Sequence, residues 1–200
     1  MRRVVLMALL ALALPVAAFA NSSVDFTNQG GTLTGSSSGL SLSSSMLIAV
    51  NGLNGGGLVT GDLGTVSFTT GALTGSLQNG GTFAAGGSFT ITGNGNGVPN
   101  GVIFTGTFSS PVTWTLVTLP DGTHNYTLTG VVSGTLGSSF TTNGVTVQLT
   151  INTGSGFFNG STTISSGDTN IVVPEPGTLG LLGTGLVGIA GLVRRRLKIG

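Results

Sequence analysis

Few side chains of this 200-residue chain could carry acid–base chemistry. His124 is the only histidine, and the carboxylates of residues 21–173 are Asp25, Asp62, Asp121 and Asp168. A Ser-His-Asp site needs an aspartate held against the histidine, and a glycosidase needs two carboxyl groups about 5–10 Å apart. Asp62 and Asp121 instead lie at turn signals, and His124 follows a turn, where we expect a solvated strand-end residue. The sequence therefore predicts no catalytic residue and a protein that is not an enzyme.

Metal and phosphate sites have little support in the sequence. No cysteine is present, which excludes thiolate ligands. Asp168 with Asn170, or Asp121 with Asn125, could offer oxygen ligands. A calcium ion takes about six to eight such ligands, more than either group supplies. The glycine-rich string at residues 93–97 lacks the lysine and the following helix of a phosphate loop. We therefore expect no metal and no cofactor.

The positive charges all lie near the two ends of the chain. Arg2 and Arg3 precede one apolar run, and a second basic cluster, which ends at Lys198, follows another. No Lys or Arg lies between Asn21 and Val173, so the four aspartates leave this middle region anionic. Binding to nucleic acid requires cations that neutralise phosphate, and the sequence excludes it on this ground.

The N-terminal segment has the layout of a secretory signal peptide. Two arginines precede an apolar run at residues 4–14, which Pro15 ends. Ala18 and Ala20 then provide small residues at the positions that a signal peptidase reads. We expect cleavage before Asn21. A permanent anchor is the alternative, but the run is too short to span about 30 Å of hydrocarbon comfortably.

The C-terminal segment predicts a transmembrane helix. Residues 177–193 carry no charge, and as a helix they would measure about 25 Å. Arg194, Arg195 and Arg196 follow, and such a basic cluster stays in the cytoplasm and stops transfer. Pro174 and Pro176 keep the preceding peptide extended, where a membrane-embedded protease could reach it. A plain tail anchor is the alternative.

The order Val173, Pro174, Glu175, Pro176, glycine-rich span and arginine cluster resembles the PEP-CTERM sorting signal, also labelled the ice-binding protein C-terminal domain. The resemblance covers about residues 173–198. It implies recognition by an exosortase, an integral membrane protease, with Pro174, Glu175 and Pro176 as the motif. It also implies a Gram-negative-type bacterium and a product at the cell surface or in the extracellular matrix, associated with extracellular polysaccharide or biofilm.

The sequence predicts three regions: a signal peptide at residues 1–20, an exported body at 21–173 and a sorting segment at 174–200. The body is rich in Gly, Ser, Thr and Asn, with short apolar–polar alternations at residues 65–70, 88–92, 102–108, 112–119, 124–132 and 145–151. Asn-Gly pairs between many of them favour tight turns. We predict an all-β body, an antiparallel β-sandwich in first place and an irregular β-barrel or a β-helix as alternatives. Residues 21–45 are expected to be partly loose.

One hairpin can be placed in register. A three-residue loop at residues 120–122 pairs Leu119 with Thr123, so Trp114 falls opposite Leu128 and Leu116 opposite Tyr126. This register puts Trp114 and Tyr126, the only Trp and the only Tyr, on one face. The two rings then either pack in the core or form an exposed platform that stacks on sugars.

Two functions fit these patterns. The first is a non-enzymatic cell-surface or extracellular-matrix protein. We expect its partners to be signal peptidase, an exosortase, the membrane and extracellular polysaccharide, and no nucleic acid. The second is a carbohydrate- or ice-binding module, using the Trp114 and Tyr126 platform or threonine-rich strands at residues 90–92 and 127–129. The absence of a regular repeat argues against a flat ice-binding face.

Overall fold

The body of the protein consists of β-strands. A computed structural model describes residues 22–138 and 140–173, which form thirteen strands and one 3₁₀ turn, Leu53–Gly55. The strands are β1 (Ser22–Gln29), β2 (Thr32–Ser36), β3 (Gly39–Asn51), β4 (Val59–Thr69), β5 (Leu73–Ser76), β6 (Gly80–Phe83), β7 (Gly86–Asn94), β8 (Asn100–Phe108), β9 (Val112–Thr118), β10 (His124–Leu136), β11 (Phe140–Asn152), β12 (Ser161–Thr163) and β13 (Ser166–Val173). The predicted all-β class is confirmed, and each of the six predicted strands lies within an observed one or exceeds it by one residue.

The predicted signal peptide and the predicted transmembrane helix at residues 177–193 lie outside the described residues. Within residues 22–138 and 140–173, no helix has the length and apolar character to cross a bilayer.

Eight strands close into a barrel in the order β1-β3-β4-β7-β8-β10-β11-β13, with β13 hydrogen-bonded to β1. The register is defined for seven of these neighbouring strand pairs, and all seven pairs are antiparallel. The β-sandwich that we placed first is therefore wrong, and the barrel alternative is correct. The physical reason is that β11 pairs on one edge with β10 and on the other with β13, which leaves no break at which two sheets could separate.

Side chains fill the barrel, as expected for eight strands. Phe68, Phe89, Phe104 and Phe108 are all buried, and their rings meet in stacked and edge-to-face pairs at 5.8–6.2 Å between centroids. Gly130 makes room for this cluster, because a Cβ there would lie 2.8 Å from the Phe108 ring. The interior is thus a packed core rather than a channel.

Register shifts interrupt several barrel strands and help the sheet to curve. Between β10 and β11 the register shifts, because Val132 pairs with Val145 but Gly134 pairs with Thr142. Asn143 and Gly144 of β11 therefore lie opposite the single residue Ser133 of β10. Gly144 has φ +88°, a conformation that favours glycine. This Asn-Gly pair therefore marks a bulge inside a strand and not the turn that we expected between strands.

The expectation that residues 21–45 are partly loose is wrong. Residues 22–45 form β1, β2 and the first half of β3, and they bury Val24, Phe26, Leu33, Leu40 and Leu42. The serines at positions 43–45 hide the pattern because they form a bulge: the partner in β4 shifts between Leu42 and Ser45, and Ser44 has φ +54°. Burial of alternate residues on either side of the bulge holds the segment in the sheet.

Two additions extend the barrel at one end. The first half of β10 pairs with β9, which continues to β6 and β5, whereas its second half pairs with β8 in the barrel. We call β9, β6 and β5 the wing. Similarly, the first half of β3 pairs with β2, which carries the short β12 on its other edge. The wing and the β2–β3 hairpin provide the surroundings of the two regions described next.

Candidate functional site

Trp114 and Tyr126 occupy the register that the sequence predicts. Trp114 pairs with Leu128 and Leu116 with Tyr126, and Leu119 and Thr123 close the three-residue loop through a 2.8 Å hydrogen bond. The two rings stack with centroids 5.0 Å apart, at 1% and 0% exposure. Of the two alternatives, packing in the core is therefore confirmed and the exposed platform for sugars is wrong, because both rings are buried.

The stacked pair belongs to an aromatic cluster, which we define as Phe83, Trp114, Tyr126 and Phe158. Trp114 Nε1 donates to the Leu77 carbonyl at 2.9 Å, and the Tyr126 hydroxyl donates to the Gln78 carbonyl at 2.7 Å. The Tyr126 hydroxyl also accepts from the backbone N–H of Phe158. These bonds tie the loop after β5 and the loop before β12 to β9 and β10, so the cluster has a structural role.

His124 is not the solvated residue that we expected. It is 8% exposed, its Nδ1 lies 3.0 Å from the Thr118 hydroxyl, and its ring stacks on Phe157 with centroids 4.3 Å apart. The correction has a simple cause. The chain after β11 folds back, with hydrogen bonds between His124 and residues 153 and 154, and covers the imidazole.

Each aspartate has a structural partner, and the four lie on different strands or turns. Asp25 accepts from Asn170, Asp168 from Thr27, Asp62 from Asn94, and Asp121 from the backbone N–H of Thr123. In the described ranges, no three His, Cys, Asp or Glu side chains come together as a metal ion would need. The structure brings Asp25 and Asp168 to one seam, that between β1 and β13, where they bond to amide and hydroxyl groups.

The Asp121 turn gives a pH-dependent prediction. The Thr123 backbone N–H and hydroxyl donate to the carboxylate and hold the pKa of Asp121 below its ordinary value. Because the folded-state pKa is lowered, the turn gains stability above the ordinary pKa and loses it as pH falls through the lowered one. We expect the ¹³C carboxyl shift of Asp121 to titrate at lower pH in the protein than in a peptide of residues 118–126. Equal midpoints would contradict the hydrogen bonds.

The threonine-rich strands at residues 90–92 and 127–129 do present hydroxyls to the outside, as the sequence indicates. Neighbouring strands align further hydroxyls with them, so rows cross the sheet at about 4.8 Å per strand. The rows include Thr113 with Thr129, Thr115 with Thr127 and Thr150, and Ser67 with Thr90 and Thr105. These rows result from the register of the strands. The sequence alone does not give that register for strands that are far apart in the chain.

A further row runs through a cleft that the sequence did not indicate. Thr34 in β2, Ser41 in β3 and Thr69 in β4 are in register. They line an open cleft of about 290 Å³ beside the turn between β2 and β3. Ser36, Ser38 and Thr70 complete its hydroxyl lining, and we call it the hydroxyl cleft. The bulge at residues 43–45 disguised this part of β3, so no sequence signal pointed to these residues.

The sorting segment follows the last strand. β13 ends at Val173, and the predicted motif residues from Pro174 to Arg196 lie outside the described part of the chain, as do Ala18, Ala20 and Asn21. Residues 172–196 match the family model of the PEP-CTERM protein-sorting motif. No curated protein and no solved structure matches the chain. The motif indicates an exported protein that an exosortase sorts at the membrane and that reaches the cell surface. The chain thus carries a PEP-CTERM protein-sorting motif at residues 172–196.

Proposed function

We propose that this is a non-enzymatic protein of the cell surface or extracellular matrix, with residues 21–173 as its exported body. Its signal peptide is cut before Asn21, Pro174-Glu175-Pro176 is the recognition sequence of the exosortase, and Arg194–Arg196 stop transfer. The observation that carries the proposal is the sorting motif at residues 172–196, which begins within the last strand of the barrel.

The packed body supports a structural role rather than catalysis. Aromatic and aliphatic side chains fill the barrel, and the histidine and the aspartates all bond to groups that hold turns, strands or the barrel seam. Such a body is suited to adhesion or to bulk structure in a matrix. The absence of Lys and Arg from residues 21–173 supports a partner other than an anionic polymer.

The sorting part of the proposal can be tested in a bacterium that contains an exosortase. We expect the triple variant Pro174→Ala, Glu175→Ala and Pro176→Ala to accumulate unprocessed in the inner membrane, because the recognition sequence is gone. The measurement is cell fractionation with an immunoblot for the body.

The matched control replaces three residues in a surface loop of the body, Asn54→Ala, Gly57→Ala and Leu58→Ala. These positions are exposed and distant in sequence from the motif. The control should be processed and released like the wild type. Equal release of the motif variant and the wild type would remove the exosortase from the proposal.

A further inference from the structure

We propose that the hydroxyl cleft binds a neutral polysaccharide segment. The inference rests on the proposed function in one respect, since a polysaccharide outside the cell meets the body only after export. It goes beyond that function by assigning a site and a class of ligand. The site is the cleft beside the β2–β3 turn, with Thr34, Ser41 and Thr69 as its floor.

The floor of the cleft is regular because three strands are in register. Thr34 pairs with Ser41 and Ser41 with Thr69, so their side chains point to the same outer face at about 4.8 Å per strand. The row continues to Ser161 on β12 and to Ser88 on β7. Five adjacent strands thus contribute a Ser or Thr to one line across the sheet, and the cleft lies over its centre.

The hydroxyl groups of the cleft have hydrogen-bond positions that are free for a ligand. The Ser41 hydroxyl makes no hydrogen bond to another residue of the described ranges, and the Thr34 hydroxyl makes only a long one of 3.4 Å, to the Ser41 carbonyl. Ser36 shares a 2.6 Å hydrogen bond with the Ser38 hydroxyl and accepts from the Ser38 N–H, and Thr69 bonds to the Ser88 hydroxyl and accepts from the Ser88 N–H. A hydroxyl is one donor and two acceptors, so Ser41 keeps all of its positions and each of the other groups keeps at least one for a partner that can both donate and accept.

The lining selects the class of ligand. Six of the residues around the cleft carry hydroxyls and none carries a charge. An anionic polymer would find no Lys or Arg in residues 21–173. Apolar side chains placed in the cleft would leave the hydroxyls without partners, at a cost in binding free energy. Sugar hydroxyls offer the matching mixture of donors and acceptors without charge.

The size of the cleft favours a short stretch of a chain over a folded partner. Its volume of about 290 Å³ is just below that of typical ligand pockets, which measure roughly 300–1,000 Å³. The cleft is open to the outside, and the hydroxyl row runs beyond it on both sides. A long polymer could therefore enter without threading an end, with one segment in the cleft and its neighbours over Ser161 and Ser88.

The test uses the full chain in a non-ionic polyoxyethylene detergent on an array of immobilised oligosaccharides. The neutral probes are oligomers of glucose, galactose, mannose and N-acetylglucosamine, and the charged probes are oligomers of uronic acids. We expect retention on at least one neutral probe and none on the uronic acids. Retention on no neutral probe, or stronger retention on the acids, would overturn the inference.

The location is tested with a cleft variant, Thr34→Val, Ser41→Ala and Thr69→Val. We expect its Kd to rise at least about tenfold, since each of the three lost hydrogen bonds weakens binding by about two- to twelvefold and the losses multiply. The matched control, Thr113→Val, Thr115→Val and Thr129→Val, removes three exposed hydroxyls from β9 and β10 and should keep the wild-type Kd. Equal losses in both variants, or none in either, would show that the cleft is not the site.

A second variant tests the cleft independently, in case the triple variant does not fold. Ser38→Gln adds bulk at the exposed rim without removing a strand residue, and it should also weaken retention. Unchanged retention in this variant would count against the cleft. Measuring the processing of the cleft variant distinguishes this inference from the proposed function. The cleft variant should be processed like the wild type, because its sorting motif is unchanged. Loss of motif-dependent processing would overturn the proposed function and leave the binding result standing.

Discussion

We expect Trp114→Ala to destabilise the body by about 3–5 kcal/mol, the cost of truncating a buried aromatic side chain. Trp114 stacks on Tyr126, meets Phe83 and Phe158 edge to face, and is 1% exposed. Its removal leaves a cavity, and the Leu77 carbonyl also loses the indole N–H as donor. A typical domain has about 5–15 kcal/mol of stability, so the loss would be a large fraction of the whole.

The measurement is urea denaturation of the full chain in detergent, followed by circular dichroism. Thr115→Ala is the matched control: it is the next residue in β9, points outward and is exposed, so its effect should stay within about 0.5 kcal/mol. A Trp114→Ala midpoint equal to that of Thr115→Ala would mean that the aromatic cluster does not stabilise the fold.

Gly64→Ala should destabilise the barrel by at least about 3 kcal/mol through backbone strain and overpacking together. Gly64 has φ +142°, and a Cβ there would lie 1.9 Å from the Thr92 carbonyl oxygen and 2.8 Å from the Gly93 Cα. Both contacts are with backbone atoms of β7, which cannot rotate away. The change would therefore force β4 and β7 apart at the point where Gly64 pairs with Gly93.

The control for this prediction is Gly57→Ala. Gly57 lies in the exposed loop before β4, and a Cβ there would meet nothing within 4 Å. Its substitution should be neutral or slightly stabilising, because alanine restricts the unfolded chain more than glycine does. If thermal unfolding gave both variants the same midpoint, the close approach of β4 and β7 would not matter for stability.

Local patterns predicted the strands in which alternation is unbroken. Residues 124–129 alternate cleanly, and the strand predicted at residues 124–132 lies in β10. The loop at residues 120–122 fixed the β9–β10 register correctly because its turn chemistry is local. By contrast, the alternation in β3 is interrupted by its bulge, and β6 begins with Gly80 and Gly81, which have no side chains to show a pattern. A search for alternating apolar and polar residues therefore does not detect a strand that contains a bulge or a strand that begins with consecutive glycines.

The surroundings of the chemistry-bearing residues could not be predicted because they depend on distant parts of the chain. His124 is covered by Phe157, and Trp114 bonds to Leu77, 37 residues earlier. The hydroxyl cleft arises only when β2, β3 and β4 are aligned. The sorting motif is the opposite case: its residues are contiguous, so the sequence alone was sufficient to recognise it.

The seam between β1 and β13 has a consequence for the order in which the protein folds. Thr27 and Asp168, which bond across it, are 141 residues apart, so almost the whole body must be synthesised before β1 can obtain its second neighbour. Joining such remote segments is entropically costly and slow. Ring closure is therefore expected to be a late event, and until then β1 remains an open edge that a chaperone or another copy of the chain could occupy.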